Sequence, residues 1–571
     1  MLFATPLLAL SPLAPAQDLA AALPPEAVVA LHMPSPRATL QLRGKNDLVS
    51  FALDARTLAA MRELFGGLGS LADGDGNGSN EEAARALVDD TVDFLGACDS
   101  LVAYFEAPEG SPGAGPPVGV LAARGGDALE GPLVRLVGSD VAAVSERGEI
   151  QLRVGEAGPF EAYARRGEVH VLATAPTVDA AVAHVDRFFT FLGSGEASGP
   201  FGLEGVRQER SRSSTTPALE FAVDLDQLWR RVDDVESMGA LERWFFDGAR
   251  SVQWAYGETS FGAGHAAETR VVAPYDEDSA VGGVLGFLRP VDLGALRVAP
   301  ADAITAGALS VDLDGLARWL VEAVGARDET AGRQLSAGIA TVRETTGIDL
   351  VDGLLAPLSD TMAYWESLPD PIEAENAEAF ALGGPLSRYG MAFQLTDAEP
   401  YLDLMDTLEG LAGQATEVTT GSAPIPGTDG EIELWEADAG IFELTAGVAE
   451  DALLLVFGDM RAARTSARNL GTVDPSARFV ARADVAQALR SLGVVRGGVS
   501  VQRTDSVVDV LVWAAKLFDG LADGGAEVDG LRRASVALEQ LAIVAEPYVN
   551  GLTLATLTAE KGRLVLSAST R

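Results

Sequence analysis

The segment Asp73–Glu82, DGDGNGSNEE, carries the residue types and spacing of a divalent-cation loop. Asp73, Asp75 and Asn77 fall at positions one, three and five of a calcium loop, and Gly78 at position six. Ca²⁺ is a hard ion taking roughly six to eight oxygens, so short carboxylates and amides on a glycine-bent loop suit it. The pattern then departs. Position twelve is Ala84, where a bidentate Glu is needed, and position eight is Asn80, where an apolar residue usually pins the loop. Glu81 or Glu82 would have to supply the remaining oxygens. The competing expectation is an acidic insertion in which Ser79 and Glu82 form a capping box for the next helix. Calcium, on Asp73, Asp75, Asn77, Glu81 and Glu82, is the one cofactor the residues suggest.

Two Asp-Leu-Asp triplets, Asp224/Asp226 and Asp312/Asp314, are paired carboxylates of the kind used in metal binding or acid–base work. Both lie where a short strand runs into a helix. An Asp there accepts hydrogen bonds from the first helical amides and sits at the positive end of the helix dipole. Two further copies of the element hold Ser35 and Asp484 at the same place, which capping explains and metal binding does not. No catalytic residue is therefore assigned. His32, His170, His184 and His265 form no His-Glu-x-x-His motif and no close helical pair, so surface or core roles are expected. There is no Gly-x-Ser-x-Gly elbow and no Walker loop. Gly262-x-Gly264-x-x-Ala267 fits a loosened dinucleotide fingerprint, but strand-like residues follow it. Cys98 precedes an apolar strand with no neighbouring base, as a buried structural thiol does. Trp244, Phe245, Phe246, Trp254 and Tyr256 could line a ligand pocket or carbohydrate platform, with core packing the favoured expectation. The basic run Arg207–Ser214 is read as a solvated loop.

The elements that must position these residues are organised by repetition. Strand, cap and helix follow one another in Val29–Leu40, Glu220–Val232, Ala308–Val324 and Arg478–Leu492, with caps expected at Ser35, Asp226, Asp314 and Asp484. These copies sit in a longer order that recurs. Strand VAYFE, Val102–Glu106, answers to MAYWE, Met362–Glu366, and Phe160–Val185 answers to Phe442–Leu470. The expected fold is α+β, two tandem copies of a unit with a mostly antiparallel sheet covered by helices on one face. The copies span 17–290 and 300–571, divided within Pro290–Pro300. Alternation of Phe160, Ala162 and Ala164 with Glu161, Tyr163 and Arg165 favours that arrangement over a doubly wound parallel sheet.

The phrases ALPPEAVVALHMPSPRATL, TGIDLVDGLLAPLSDTMAYWE and VHVLATAPTVDAAVAHV resemble recurring elements of an uncharacterised bacterial exported-protein family, domain of unknown function 3352. The likeness covers most of the chain, in short apolar elements. It implies export and a repeated α+β body. It implies no activity and supplies no catalytic residues.

Residues 1–16 read as a signal peptide. Leu2 to Leu13 is apolar but too short to span a bilayer, and Ala14-Pro15-Ala16 has the small-x-small form of a cleavage site, although a basic n-region is missing. The net charge of −41, from 83 acidic and 42 basic side chains, repels nucleic acid and anionic lipid. The single Cys98 allows no intrachain disulfide. No later window is apolar enough for a membrane span, so a soluble mature chain of the periplasm or cell exterior is expected. The favoured expectation is a non-enzymatic binding or scaffold body with a protein or small-molecule partner. The alternatives are a hydrolase with a dispersed active site, and a carrier of apolar ligands needing an aliphatic cavity of several hundred Å³.

Overall fold

The computed structural model describes residues 18–72, 88, 90–106, 118–137, 143–147, 150–154, 160–194, 199–213, 216–232, 235, 238–264, 266–368, 388–412, 418–425, 430–438, 443–449, 451–457, 460–470, 478–523 and 528–570. The calcium-loop candidates Asp73, Asp75, Asn77, Glu81 and Glu82, together with His265 and the leader, lie outside them. The described chain forms helices and extensive antiparallel sheet in two compact units. The first comprises Met1–Gln41, Val92–Asp233 and Gln253–Ser260; the second comprises Leu42–Thr91, Asp234–Val252 and Phe261–Arg571.

In the first unit the strands are β1 (Ala27–Met33), β2 (Cys98–Glu106), β3 (Val118–Gly125), β4 (Ala143–Arg147), β5 (Ile150–Val154), β6 (Ala162–Arg166), β7 (Val169–Thr174), β8 (Leu219–Asp224) and β9 (Trp254–Phe261). Every pairing is antiparallel, in the order β4-β5-β6-β7-β3-β2-β1-β8-β9. One face carries Tyr104, Val120, Ala162, Ala164 and Val171 against Val185, Phe188 and Phe189 of the helix Val178–Ser194. The other face packs Tyr163 and Leu172 with Leu129 and Leu133. Over these strands both faces are buried, which differs from the single covered face expected from alternation. Ala162, Tyr163 and Ala164 are buried in succession, because Tyr163 sends its hydroxyl to the buried His170, 2.8 Å away, rather than to water.

In the second unit the strands are β10 (Ala267–Pro274), β11 (Thr305–Ser310), β12 (Leu358–Ser367), β13 (Arg388–Leu395), β14 (Val418–Pro424), β15 (Glu431–Asp438), β16 (Glu443–Ala449), β17 (Ala452–Phe457), β18 (Gly497–Arg503), β19 (Leu552–Glu560) and β20 (Arg563–Thr570). Their order is β14-β15-β16-β17-β13-β12-β11-β18-β19-β20-β10, again antiparallel throughout. From β14 to β19 this is the order of the first unit with ten added to each strand number. Lys561 and Gly562, both at positive φ, make the two-residue turn that joins β19 to β20, as the right-handed strand twist requires. Helices Ala55–Ala72, Ser506–Asp523 and Val528–Ala545 pack around Ala60, Ala515, Leu538 and Leu541. No helix among the described residues is long and apolar enough to cross a membrane.

Three local expectations need correction. The caps of the Asp-Leu-Asp elements are Asp224 and Asp312, not Asp226 and Asp314. Asp224 accepts from the Gln227 amide at 3.1 Å and Asp312 from the Gly315 amide at 2.8 Å. The first carboxylate of each triplet reaches the amide three residues on, whereas the second already lies in the first turn and pairs with Arg230 or Arg318 four residues along. Around Arg478 the strand–helix element is a short 3₁₀ turn, Phe479–Ala481, and the following helix is preceded by Arg482, which pairs with Asp484. The Arg207–Ser214 run is helical through Arg212, in the helix Glu204–Arg212.

Candidate functional site

In the first unit the helix Glu204–Arg212 bears on one face of β1, β8 and β9. Strand alternation puts Glu220, Ala222 and Asp224 of β8 on the buried side, with Phe221 and Val223 only half-buried. Register sets Glu220 beside Glu258, Ala222 beside Tyr256 and Asp224 beside Trp254 on β9, and His32 of β1 beside Glu220. Along that row the helix contributes Arg210 at the Glu220 end and Gly205 at the Trp254 end, where a Cβ on Gly205 would come 2.4 Å from the indole.

The Glu220 end is an ionic cluster. His32 is 2% exposed, Glu220 1% and Tyr256 0%. The His32 Nδ1 lies 2.8 Å from Glu220 Oε2, and Arg210 donates from Nε and Nη2 to the two Glu220 oxygens, each at 2.9 Å. Tyr256 Oη donates to Glu220 Oε1 at 2.9 Å. Arg210 also reaches Asp18 Oδ2 at 3.0 Å and lies over the ring of Phe201. Burial alone would raise the pKa of Glu220, but the hydrogen bonds and charges of His32 and Arg210 outweigh it and hold the carboxyl at about 2. Burial, followed by the neighbouring Glu220 carboxylate, drives Tyr256 well above the usual phenol range. Asp18 also caps the short turn Leu19–Ala22, whose Leu19 and Ala20 are fully buried.

On the far side of His32, Nε2 faces the Ser100 hydroxyl at 3.4 Å and Asp18 Oδ1 at 3.5 Å. Hydroxyl, imidazole and carboxylate thus stand in the order that activates a serine nucleophile. Against that use, His32 has almost no exposed surface, the Asp18 carboxylate competes for Nε2, and both Glu220 oxygens are held by Arg210.

At the Trp254 end a cleft of about 430 Å³ opens between the turn after Leu23 and the helix Leu225–Trp229; Pro25, Glu26, Leu203, Asp224, Asp226, Gln227, Arg230, Arg231, Gln253 and Trp254 line it. Both Asp224 and Asp226 are there, but each is committed. Asp224 accepts from the Gln227 amide and side chain, and Asp226 is paired with Arg230. A second cavity, about 620 Å³ in the second unit, is lined by Glu63, Asp529, Arg532, Arg533, Val536, Ala537 and Gln540. Both linings are charged, unlike the aliphatic lining that carriage of an apolar ligand needs.

The remaining candidates scatter. His170 lies against Tyr163, with its pKa lowered by burial, and His184 lies 3.3 Å from Glu106. Cys98 is fully buried at the start of β2, and burial pushes its thiol up to about 12. Trp244 packs on Trp319 and Phe245 within the second unit, whereas Trp254 and Tyr256 belong to the first. No group of three or more His, Cys, Asp or Glu side chains among the described residues is placed to hold a metal. Arg210, Glu220 and His32 as a set escaped the sequence. The available signal was a charged residue, Glu220, at an inward strand position with an Arg ten residues earlier.

No family model and no curated protein matches the chain. Among solved structures it is similar to the "Structure of crystal form I of TP0453", with a TM-score of 0.24 and 8% identity over 46% of this chain and 80% of that one. A likeness at that level carries no argument.

Proposed function

We propose that the chain is an exported, non-enzymatic binding body of the periplasm or cell exterior, that its ligand site is the cleft beside Trp254, and that it arose by tandem duplication within a family like domain of unknown function 3352. The observation that carries the binding reading is the cleft itself. Apolar Trp254 and Leu203 stand beside convergent carboxylate, amide and guanidinium groups, the mixture that small-molecule sites use. Its carboxylates serve as cap and ion-pair partners, which favours binding over chemistry. The repeated nine-strand order supports the duplication. Saturation-transfer NMR against a mixed library of soluble metabolites tests the site. At least one compound should engage the wild type and be lost in Gln253→Trp, a change at an exposed position that fills the cleft. Engagement of nothing, or engagement untouched by Gln253→Trp, would refute this.

A second reading, a hydrolase, is favoured by the Ser100–His32–Glu220 line alone. It predicts labelling of Ser100 by a fluorophosphonate probe, abolished in His32→Ala and Ser100→Ala. Absence of labelling in the folded protein removes it.

A further inference from the structure

Resting on the binding reading, we propose that the cleft beside Trp254 takes a neutral saccharide of one or two rings. Every charged side chain lining it already has a partner. Asp226 is paired with Arg230, Glu26 lies 3.7 Å from Arg187, Asp224 is held by the Gln227 amide and side chain, and Arg231 is engaged by a neighbour. An anion would have to draw Arg230 from Asp226, and a cation would have to compete with the Gln227 amide and side chain for Asp224, whose carboxylate is held by neutral groups. Hydroxyl groups both donate and accept. They can therefore bridge a carboxylate and the guanidinium beside it while leaving the pair intact.

Two further features fit a sugar. The indole of Trp254 borders the cleft, and Gly205 packs against it, its missing side chain letting the ring lie at contact distance. A rigid aromatic plane offers the apolar C–H face of a pyranose a surface at little conformational cost. Next to it the exposed Gln253 presents both an amide donor and an acceptor at the mouth. The volume of about 430 Å³ is at the lower end for small-molecule sites, which limits the ligand to one or two rings.

The test is calorimetric titration of the full chain with cellobiose, maltose and chitobiose, and with glucosamine and glucuronate as charged rings. At least one neutral disaccharide should bind. The charged rings should bind at least about tenfold more weakly, and Trp254→Ala should weaken the sugar by about tenfold or more, with Trp254→Phe in between. Because Trp254→Ala could disturb folding, Gln253→Ala supplies a surface variant that should weaken binding about threefold. Equal or tighter binding of a charged ring, or indifference to both positions, overturns the saccharide. If charged metabolites alone engage and Gln253→Trp removes them, the cleft stands and the saccharide falls. If nothing engages, both fall.

Discussion

Replacing Glu220 by Gln isolates the ionic cluster with almost no change in shape. The carboxyl is held at about 2 against an ordinary 4.5. At about 1.4 kcal/mol per pKa unit, that depression is worth about 3 kcal/mol to the folded first unit. The sign follows from its direction. A carboxyl depressed in the folded state stabilises fully above its unfolded value near 4.5 and loses that contribution as pH falls toward about 2. Glu220→Gln should therefore destabilise by about 3 kcal/mol at pH 7, a value in the range for breaking one partner of a buried pair. The gap should shrink to about 1.4 kcal/mol at pH 3 and below about 1 kcal/mol near pH 2.5. A chain of two compact units need not unfold in one step, so global melting is the wrong readout. Hydrogen exchange of the β8 and β9 amides reports the first unit directly. Their protection should fall about a hundredfold at pH 7 in the variant and converge with wild type in acid. A loss under threefold at pH 7, or a gap that is constant from pH 7 to 3, would refute the assignment of this carboxylate as the clamp.

Asp312→Ala should cost about 1 kcal/mol through loss of its cap and of its pair with Arg289, while Asp314→Ala should cost under about 0.5 kcal/mol; exchange protection of helix Leu313–Arg327 measures both. Gly205→Ala should displace the Trp254 ring, costing about 1–3 kcal/mol and shifting indole emission, since the new methyl would overlap it. Cys98 should resist iodoacetamide at pH 8 in the folded protein and react only on denaturation, as mass spectrometry would register, because burial both hides it and holds its thiol protonated.

The strands were legible wherever apolar periodicity was plain. VALHM, VAYFE, MAYWE and the continuous apolar run ALLLVF all pair in sheet. Harder to read was which face of a strand turns inward. In LEFAVD the bulky apolar residues Phe221 and Val223 point toward the half-exposed side, while Glu220 and Asp224 are buried. Hydrophobic pattern cannot forecast that inversion, because it depends on cations arriving from elsewhere in the chain, Arg210 on a helix and His32 on β1. For the same reason Arg207–Ser214 read as solvated. Its charge density resembles a loop, yet Arg210 is drawn in by a carboxylate ten residues later. Caps were displaced by two residues because either Asp of a triplet satisfies the capping rule, and only the point at which the helix starts, Leu225 or Leu313, selects the first.

The second unit offers a contrast to the charged cluster. Ser310 stands at the end of β11. Ser310 is fully buried too, but it is satisfied without charge. It donates to the Pro290 carbonyl and accepts from the Thr361 hydroxyl, each at 3.1 Å. A buried polar strand position can therefore be satisfied by hydroxyls and a carbonyl alone. A buried ion network carries a desolvation cost that apolar or hydroxyl packing avoids, so stability alone does not explain its presence in the first unit. What the hydroxyl pair cannot do is seize a passing helix by a bidentate guanidinium and fix its register. Arg210 does this, and five residues earlier on the same helix Gly205 sets the plane of Trp254. The cluster thus ties to β8 the helix whose Gly205 packs on Trp254 at the cleft.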